Sequence, residues 1–68
     1  MHSIYPNLDK RMLDHGIKYK DLAEAIGMDW LAMYRRLKGI STWKLPEIVA
    51  VCQFFNENNA VELFTIRY

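Results

Sequence analysis

The chain has a single cysteine, Cys52, and an intramolecular disulfide is therefore excluded. With only His2 and His15 beside it, the chain also lacks the ligands of a structural zinc site. The longest apolar run, residues 48–52, is far shorter than the roughly 20 residues that span a bilayer, and the N-terminus has no signal-peptide pattern. The sequence predicts a soluble, cytoplasmic protein with no cofactor, no metal, no membrane segment and no small-molecule substrate.

The chain also lacks a large excess of either sign of charge, since it has nine Lys and Arg and eight Asp and Glu, which gives a net charge of +1. Their distribution is uneven: residues 1–29 carry −1, residues 30–45 carry +4 with no acidic residue, and residues 46–66 carry −3. A local basic patch, rather than the net charge, decides where a polyanion docks. With 68 residues, of which 51% are hydrophobic, the chain is expected to form a single domain over residues 1–68.

Short breaker signals divide the chain into segments of helical length, and apolar residues recur within them at helical spacing. Five helices are predicted: Asn7 to His15 with Asn7 as N-cap, Tyr19 to Ile26, Trp30 to Leu37 after the N-cap Asp29, Pro46 to Phe55, and a short helix opening at Asn59. Gly16, Gly27 and Gly39 are the expected stops after the first three. We expect Gly27 to adopt a positive φ, because the distance from Ile26 to Asp29 leaves no room for a longer loop.

The segment from Tyr19 to Lys38, YKDLAEAIGMDWLAMYRRLK, is the most specific part of the sequence. It contains two short amphipathic helices joined at Gly27, with small Ala23 where the helices approach each other. This segment resembles the helix-turn-helix of the Cro and lambda-repressor-like family of phage and bacterial regulators. The resemblance extends from about Asn7 to Phe64, through Leu22-Ala23-Glu24, Ile26-Gly27-Met28, Leu37-Lys38-Gly39 and Glu62-Leu63-Phe64. It implies an all-α, compact five-helix domain whose third helix enters the major groove.

Base readout is implied by the resemblance for four positions of the third helix, Trp30, Leu31, Tyr34 and Arg35. Arg35 suits the bidentate acceptor pattern of guanine, and Leu31 suits contact with a thymine methyl group. A helical wheel places Trp30 at the edge of the apolar arc, which leaves two roles open: packing at the edge of the core or touching DNA. The same wheel turns Arg36 away from this side, so we expect it to form an ion pair.

Phosphate contacts are implied at two places that border the recognition helix. The first is the start of the second helix, with Lys18, Tyr19 and Lys20, where free N–H groups and the helix dipole favour a phosphate. The second is the loop after the third helix, with Lys38, Ser41, Thr42 and Lys44. The alternative for each lysine is a solvated surface charge, and for Ser41 and Thr42 it is loop or capping chemistry.

An enzymatic function finds little support in the sequence. Asp14 and His15 have residue types suited to acid–base chemistry, but they precede Gly16 at a helix end, where His and Gly are favoured for structural reasons. Cys52 lies on an apolar stripe with Ile48 and Phe55, as expected of an inert buried thiol. The chain has no glycine-rich phosphate loop.

Two functions follow from these observations. The first is a sequence-specific transcriptional regulator of repressor or Cro type, derived from a phage or prophage, that binds double-stranded DNA. The second is a protein-interaction module on the same fold, such as an antirepressor, in which Trp30, Leu31 and Tyr34 contact a partner protein.

A homodimer through the C-terminal helices is also expected. Val51 and Phe54 add to the apolar stripe of the fourth helix, and further apolar residues follow at Val61, Leu63, Phe64, Ile66 and Tyr68. The alternative is that Trp43 and the first helix cover this surface within one copy. The conformation of residues 65–68 is left open.

Overall fold

Five α-helices, none longer than ten residues, make up the regular structure of the residues that are described. The computed structural model describes residues 3–67, and within that range it contains no strand. The helices are α1 (Pro6–His15), α2 (Tyr19–Ala25), α3 (Trp30–Leu37), α4 (Leu45–Phe54) and α5 (Ala60–Leu63). The prediction of an all-α, five-helix domain is confirmed. None of these helices has the length and apolar character needed to cross a membrane.

Two of the three predicted N-caps are confirmed. The Asp29 side chain accepts a hydrogen bond from the Ala32 N–H at 3.0 Å, and the Asn59 side chain accepts one from Glu62. The prediction of Asn7 as N-cap is wrong, because α1 begins one residue earlier at Pro6, whose fixed φ suits the first turn. The Asn7 side chain instead donates to the Glu62 carbonyl at 2.7 Å, and so connects α1 to α5.

The first four helices end in the same way, with a left-handed residue just beyond the last turn at Gly16, Gly27, Gly39 and Asn56. At the end of α2, the Gly27 N–H donates to the Glu24 carbonyl and the Met28 N–H donates to the Ala23 carbonyl. These two bonds satisfy carbonyl groups that the helix leaves unpaired, as in a Schellman motif. The predicted positive φ of Gly27 is confirmed at 73°. As a result α2 ends at Ala25, one residue before the predicted end.

The core draws at least one fully buried side chain from every helix. Leu8 of α1, Leu22 of α2, Met33 and Leu37 of α3, Val51 of α4 and Leu63 of α5 have no more than 2% of their surface exposed. Val51 and Leu63 were expected to contribute to an excess apolar surface. That expectation is wrong for these two residues, because both point into the core. The apolar surface left on the C-terminal helices is therefore smaller than the sequence suggested.

An aromatic cluster and the chain ends close the other side of the core. The rings of Tyr5, Trp43 and Phe64 pack edge to face, with centroids 5.1 to 6.3 Å apart. Beside them, the Ile4 N–H donates to the Leu37 carbonyl at the end of α3, and the Ile4 carbonyl accepts from the Arg67 N–H. Residues 65–67 thus lie outside α5, and Arg67 pairs with the start of the chain. Tyr68 lies outside the described residues.

Replacing Gly27 by Val should destabilise the domain by more than about 1 kcal/mol, because a β-branched residue is strained at a positive φ. A Cβ atom at this position would meet no atom within 4 Å, so the cost is that of the backbone alone. Gly27→Asn is the matched control, because asparagine tolerates the left-handed conformation. Urea unfolding measures both variants. Equal stability of the Val and Asn variants would contradict the backbone explanation.

Candidate nucleic-acid interface

The pairing of α2 with α3 fixes which side of α3 faces solvent. Leu22 and Ala23 of α2 are buried together with Met33 and Leu37 of α3. Half-buried Ile26 and Met28 pack against the same core from the connecting segment. Because these apolar side chains hold one side of α3 against the core, its other side remains on the surface.

The four predicted base readers fall on that surface side. Trp30 is 46% exposed and Leu31 is 53% exposed, while Arg35 is exposed and Tyr34 half-buried. At 100° per residue they occupy an arc of about 140° on the helix. The structure therefore brings the four side chains onto one surface of α3, while their contact with DNA bases stays a prediction.

A row of aromatic rings runs from α2 along α3. Tyr19 stacks on Trp30 with centroids 6.5 Å apart and planes inclined by 21°, and Trp30 lies 6.2 Å from Tyr34. The Lys38 ammonium group then lies 6.0 Å from the centre of the Tyr34 ring. Trp30 is thus a boundary residue, as the helical wheel predicted: one part of its surface packs against neighbouring rings, and the remainder is accessible to a partner.

Tyr19 is held at its place in this row by a carboxylate of α1. Its hydroxyl donates to Asp9 Oδ1, and Asp9 also accepts hydrogen bonds from the Ser3 backbone N–H and the Ser3 hydroxyl. Burial, together with the hydrogen bond to Asp9 and its negative charge, raises the pKa of Tyr19 to about 12. A phosphate would have to compete with Asp9 for this hydroxyl. Sequence reasoning missed this cluster, because only the packing of α1 against α2 brings Ser3, Asp9 and Tyr19 together.

At the start of α2, the lysine side chains are accessible to a phosphate, whereas the backbone N–H of Lys18 is already hydrogen-bonded. Lys18 and Lys20 are exposed. The Lys18 N–H, however, donates to the Asp21 carboxylate at 2.9 Å, so a negative group already caps this end of α2. Attraction of a phosphate here therefore depends on the lysine side chains rather than on the helix dipole.

The loop after α3 carries the second set of predicted phosphate contacts. Exposed Thr42 and Lys44 and half-buried Lys38 and Ser41 lie between α3 and α4. The Arg35 carbonyl accepts hydrogen bonds from the N–H groups of Ile40 and Ser41, so the loop folds back on the end of α3. This contact places the loop beside α3, as a phosphate-binding role requires.

Arg36 forms the ion pair expected from the sequence. Its Nε donates to Glu47 Oε1 at 2.8 Å, and the same carboxylate oxygen accepts the Lys44 N–H at the start of α4. Burial by itself would raise the pKa of Glu47, but the hydrogen bonds from Lys44 and Arg36 and their positive charges lower it on balance. With Arg36 neutralised, the positive charge of residues 30–45 rests on Arg35, Lys44 and Lys38, the last of these beside the Tyr34 ring.

Two of the residues considered for catalysis, His15 and Cys52, make contacts that serve the fold. His15 packs edge to face on Phe55, and its Nδ1 lies 2.9 Å from the Arg11 carbonyl. Burial and the nearby Glu57 charge raise the pKa of the Cys52 thiol, which lowers its reactivity as a nucleophile. Between residues 3 and 67, no group of three His, Cys, Asp or Glu side chains is placed to hold a metal ion.

Comparison with known proteins gives one match. A family model for Cro/C1-type helix-turn-helix DNA-binding domains matches residues 7–65. The match includes α2 to α5 completely and all of α1 except its first residue, Pro6. Neither a curated protein nor a solved structure matches the chain.

Glu47→Gln tests whether the Arg36 pair holds the loop between α3 and α4. Because its folded pKa is lowered, ionised Glu47 stabilises the fold above the ordinary glutamate pKa, and this contribution is lost as the pH falls through the lower folded value. The variant should be about 1 kcal/mol less stable than the parent chain at pH near 7, and the difference should shrink steadily as the pH falls below the ordinary glutamate pKa. Urea unfolding over this pH range measures it, and Glu24→Gln, an exposed site, is the control. A difference that does not change with pH would contradict the ionic explanation.

Proposed function

The chain belongs to the Cro/C1-type helix-turn-helix family of DNA-binding domains, and from this membership we propose that it is a sequence-specific transcriptional regulator of repressor or Cro type. The proposal includes the phage or prophage origin that the resemblance implies. One observation carries it: the surface side of α3 presents Arg35 to solvent, while Arg36 is turned away and bound to Glu47. In this mechanism α3 lies in the major groove and the regulator acts by occupying its operator.

Within α3, the proposed readers have distinct tasks. Arg35 donates to the O6 and N7 acceptors of a guanine, and Leu31 contacts a thymine methyl group. Tyr34 offers one hydroxyl, and Trp30 extends the apolar contact toward the sugar or a methyl group. Arg35 carries most of the discrimination because it is the only one of the four with several donors in a fixed arrangement.

The proposed phosphate contacts set the position of α3 on the duplex. One group of proposed contacts lies at the start of α2 and consists of Lys18, Tyr19 and Lys20. The other group follows α3 and consists of Lys38, Thr42 and Lys44. Contacts with the DNA backbone would thus be made from both the segment before α3 and the segment after it. Such contacts carry no base information themselves, and they give the affinity its dependence on salt.

The second candidate function is a protein-interaction module such as an antirepressor. The observation that favours it is the exposure of Trp30 and Leu31, two large apolar side chains at the start of the recognition helix. Aromatic anchors of this kind are enriched at protein–protein contacts. Salt separates the two functions, since binding to duplex DNA weakens steeply with salt whereas docking of an apolar anchor does not.

We further propose a homodimer through α4 and α5. Leu45 and Val49 lie one turn apart on the outer side of α4 and, with Cys52 and Ala60, line a shallow groove of about 270 Å³. Phe54 lies about 140° from Val49 on the helix and faces another side. A dimer formed across a two-fold axis would read two half-sites if it held its two α3 helices about 34 Å apart, one turn of DNA.

Arg35→Ala should weaken binding to the preferred duplex by roughly 1 to 3 kcal/mol and relax base preference, because it removes the bidentate donor. Lys44→Ala should weaken all duplexes alike and reduce the salt slope by about one. The measurement is fluorescence polarisation over a salt series, with a duplex selected from a random library and with an unselected duplex.

Arg67→Ala is the control for both variants, since it removes one exposed positive charge that is not among the proposed DNA contacts and leaves the backbone N–H that bonds to Ile4 in place. It should change neither base preference nor salt slope. If Arg35→Ala and Lys44→Ala weakened selected and unselected duplexes equally, the division between readers and phosphate contacts would be wrong.

Val49→Glu should dissociate the dimer, because two carboxylates would meet across the two-fold axis without partners. Phe54→Glu is the matched control, as Phe54 is on the same helix and is 41% exposed where Val49 is 45% exposed. Sedimentation equilibrium from micromolar to millimolar protein, with and without DNA, measures the effect. An 8.1 kDa species throughout, binding DNA one copy per site without cooperativity, would refute the dimer.

A further inference from the structure

A groove of about 680 Å³ opens between α1, the segment that connects α1 to α2, and the start of α3. Its apolar lining comes from Met12, Leu13, Ile17 and Trp30. Leu13 is 79% exposed, although it lies on a helix whose inner side is packed in the core. The fold thus leaves a concave apolar surface directly beside the helix-turn-helix.

The charges at the groove are predominantly positive. Lys10, Lys18 and Lys20 belong to its lining, and none of them forms an ion pair within the described part of the chain. The one carboxylate of the lining, Asp9, already accepts hydrogen bonds from Ser3 and Tyr19. An occupant with an apolar body and a negative group therefore complements both the lining and its charge.

The volume of the groove suits a small molecule. Its volume falls within the range of roughly 300 to 1,000 Å³ that is typical of small-molecule sites. DNA does not suit its interior, because Met12, Leu13 and Ile17 offer no side-chain hydrogen-bond donor to a phosphate. An uncharged apolar molecule would leave the three lysines unused.

We propose that this groove binds a hydrophobic carboxylate, and that the bound molecule displaces DNA because it occupies Lys18, Lys20 and Trp30. Binding of the carboxylate stands on the groove alone, whereas its effect on DNA rests on the function proposed above. The groove thereby gives the DNA-binding surface an effector site within the same domain.

The binding test uses the full chain labelled with ¹⁵N and sodium octanoate as the probe, below the concentration at which it forms micelles. The two tryptophan indole N–H signals report on different places, since Trp30 lines the groove and Trp43 is buried in the core. Octanoate should shift the Trp30 signal in a saturable manner and leave that of Trp43 unchanged. It should bind at least roughly fivefold more tightly than 1-octanol, while octyltrimethylammonium should bind more weakly than either.

Matched variants locate the site. Leu13→Glu should weaken octanoate binding at least roughly fivefold, by placing a carboxylate in the groove. Ile40→Glu, at a residue that is 70% exposed outside the groove, should leave it unchanged. Lys10→Gln should weaken octanoate binding but not DNA binding, and Lys44→Gln should do the reverse.

Three results would overturn the site: equal affinity for the three amphiphiles, a joint shift of both tryptophan signals, or equal loss in the Leu13 and Ile40 variants. A Trp30 signal that moves with protein concentration in the absence of octanoate would show that a second copy covers the groove instead.

The regulatory effect is measured separately, by displacement of labelled duplex in polarisation. Octanoate should release DNA from the parent chain but not from Leu13→Glu. Octanoate binding without release of DNA would refute the displacement and leave the proposed function standing. A chain that binds octanoate but no duplex would refute the proposed function and leave the site standing.

Discussion

The left-handed residue that ends each of the first four helices is the constraint on which the rest of the structure depends. A chain of 68 residues without a disulfide has to reverse direction four times within a few residues and still keep enough side chains for a core. Gly16, Gly27, Gly39 and Asn56 achieve this, because each pairs the final carbonyls of one helix while turning the backbone toward the next. Helices of ten residues or fewer can therefore converge on shared buried positions.

The acidic residues of the C-terminal segment have structural tasks that explain the low net charge. Glu47 binds Arg36 and caps α4. Glu57 pairs with Arg11 of α1, and its pKa is lowered by the backbone N–H groups of Asn59 and Asn58 together with the Arg11 charge. Two of the three acidic residues of residues 46–66 thus hold helices together. A nearly neutral total is compatible with a basic surface around α3, since Glu57 pairs with α1 and Glu47 neutralises only Arg36, which faces away from the predicted reader side.

The sequence was sufficient for the features that depend on neighbouring residues. Helix positions, the Asp29 cap and the positive φ of Gly27 follow from local spacing and turn chemistry, and the Arg36 ion pair followed from the helical wheel. Properties that arise from packing were not accessible in the same way. The apolar pattern of α4 does not tell whether Val51 lies in the core or on the surface, because almost every position of this helix is apolar. The link between Tyr19 and Asp9 and the groove beside Leu13 depend on how α1 lies against α2, which no spacing encodes.

The bridge at Ile4 has a consequence for the order in which the molecule assembles. Most contacts of a short-helix protein join residues close in sequence, and such contacts form early because they close small loops. The bond from the Arg67 N–H to the Ile4 carbonyl joins the two ends of the described chain and closes its longest hydrogen-bonded loop. The Ile4 N–H connects this bridge to the Leu37 carbonyl at the end of α3. We therefore expect this bridge to form late. The final turn of α3 gains its full rigidity only when the rest of the protein has folded.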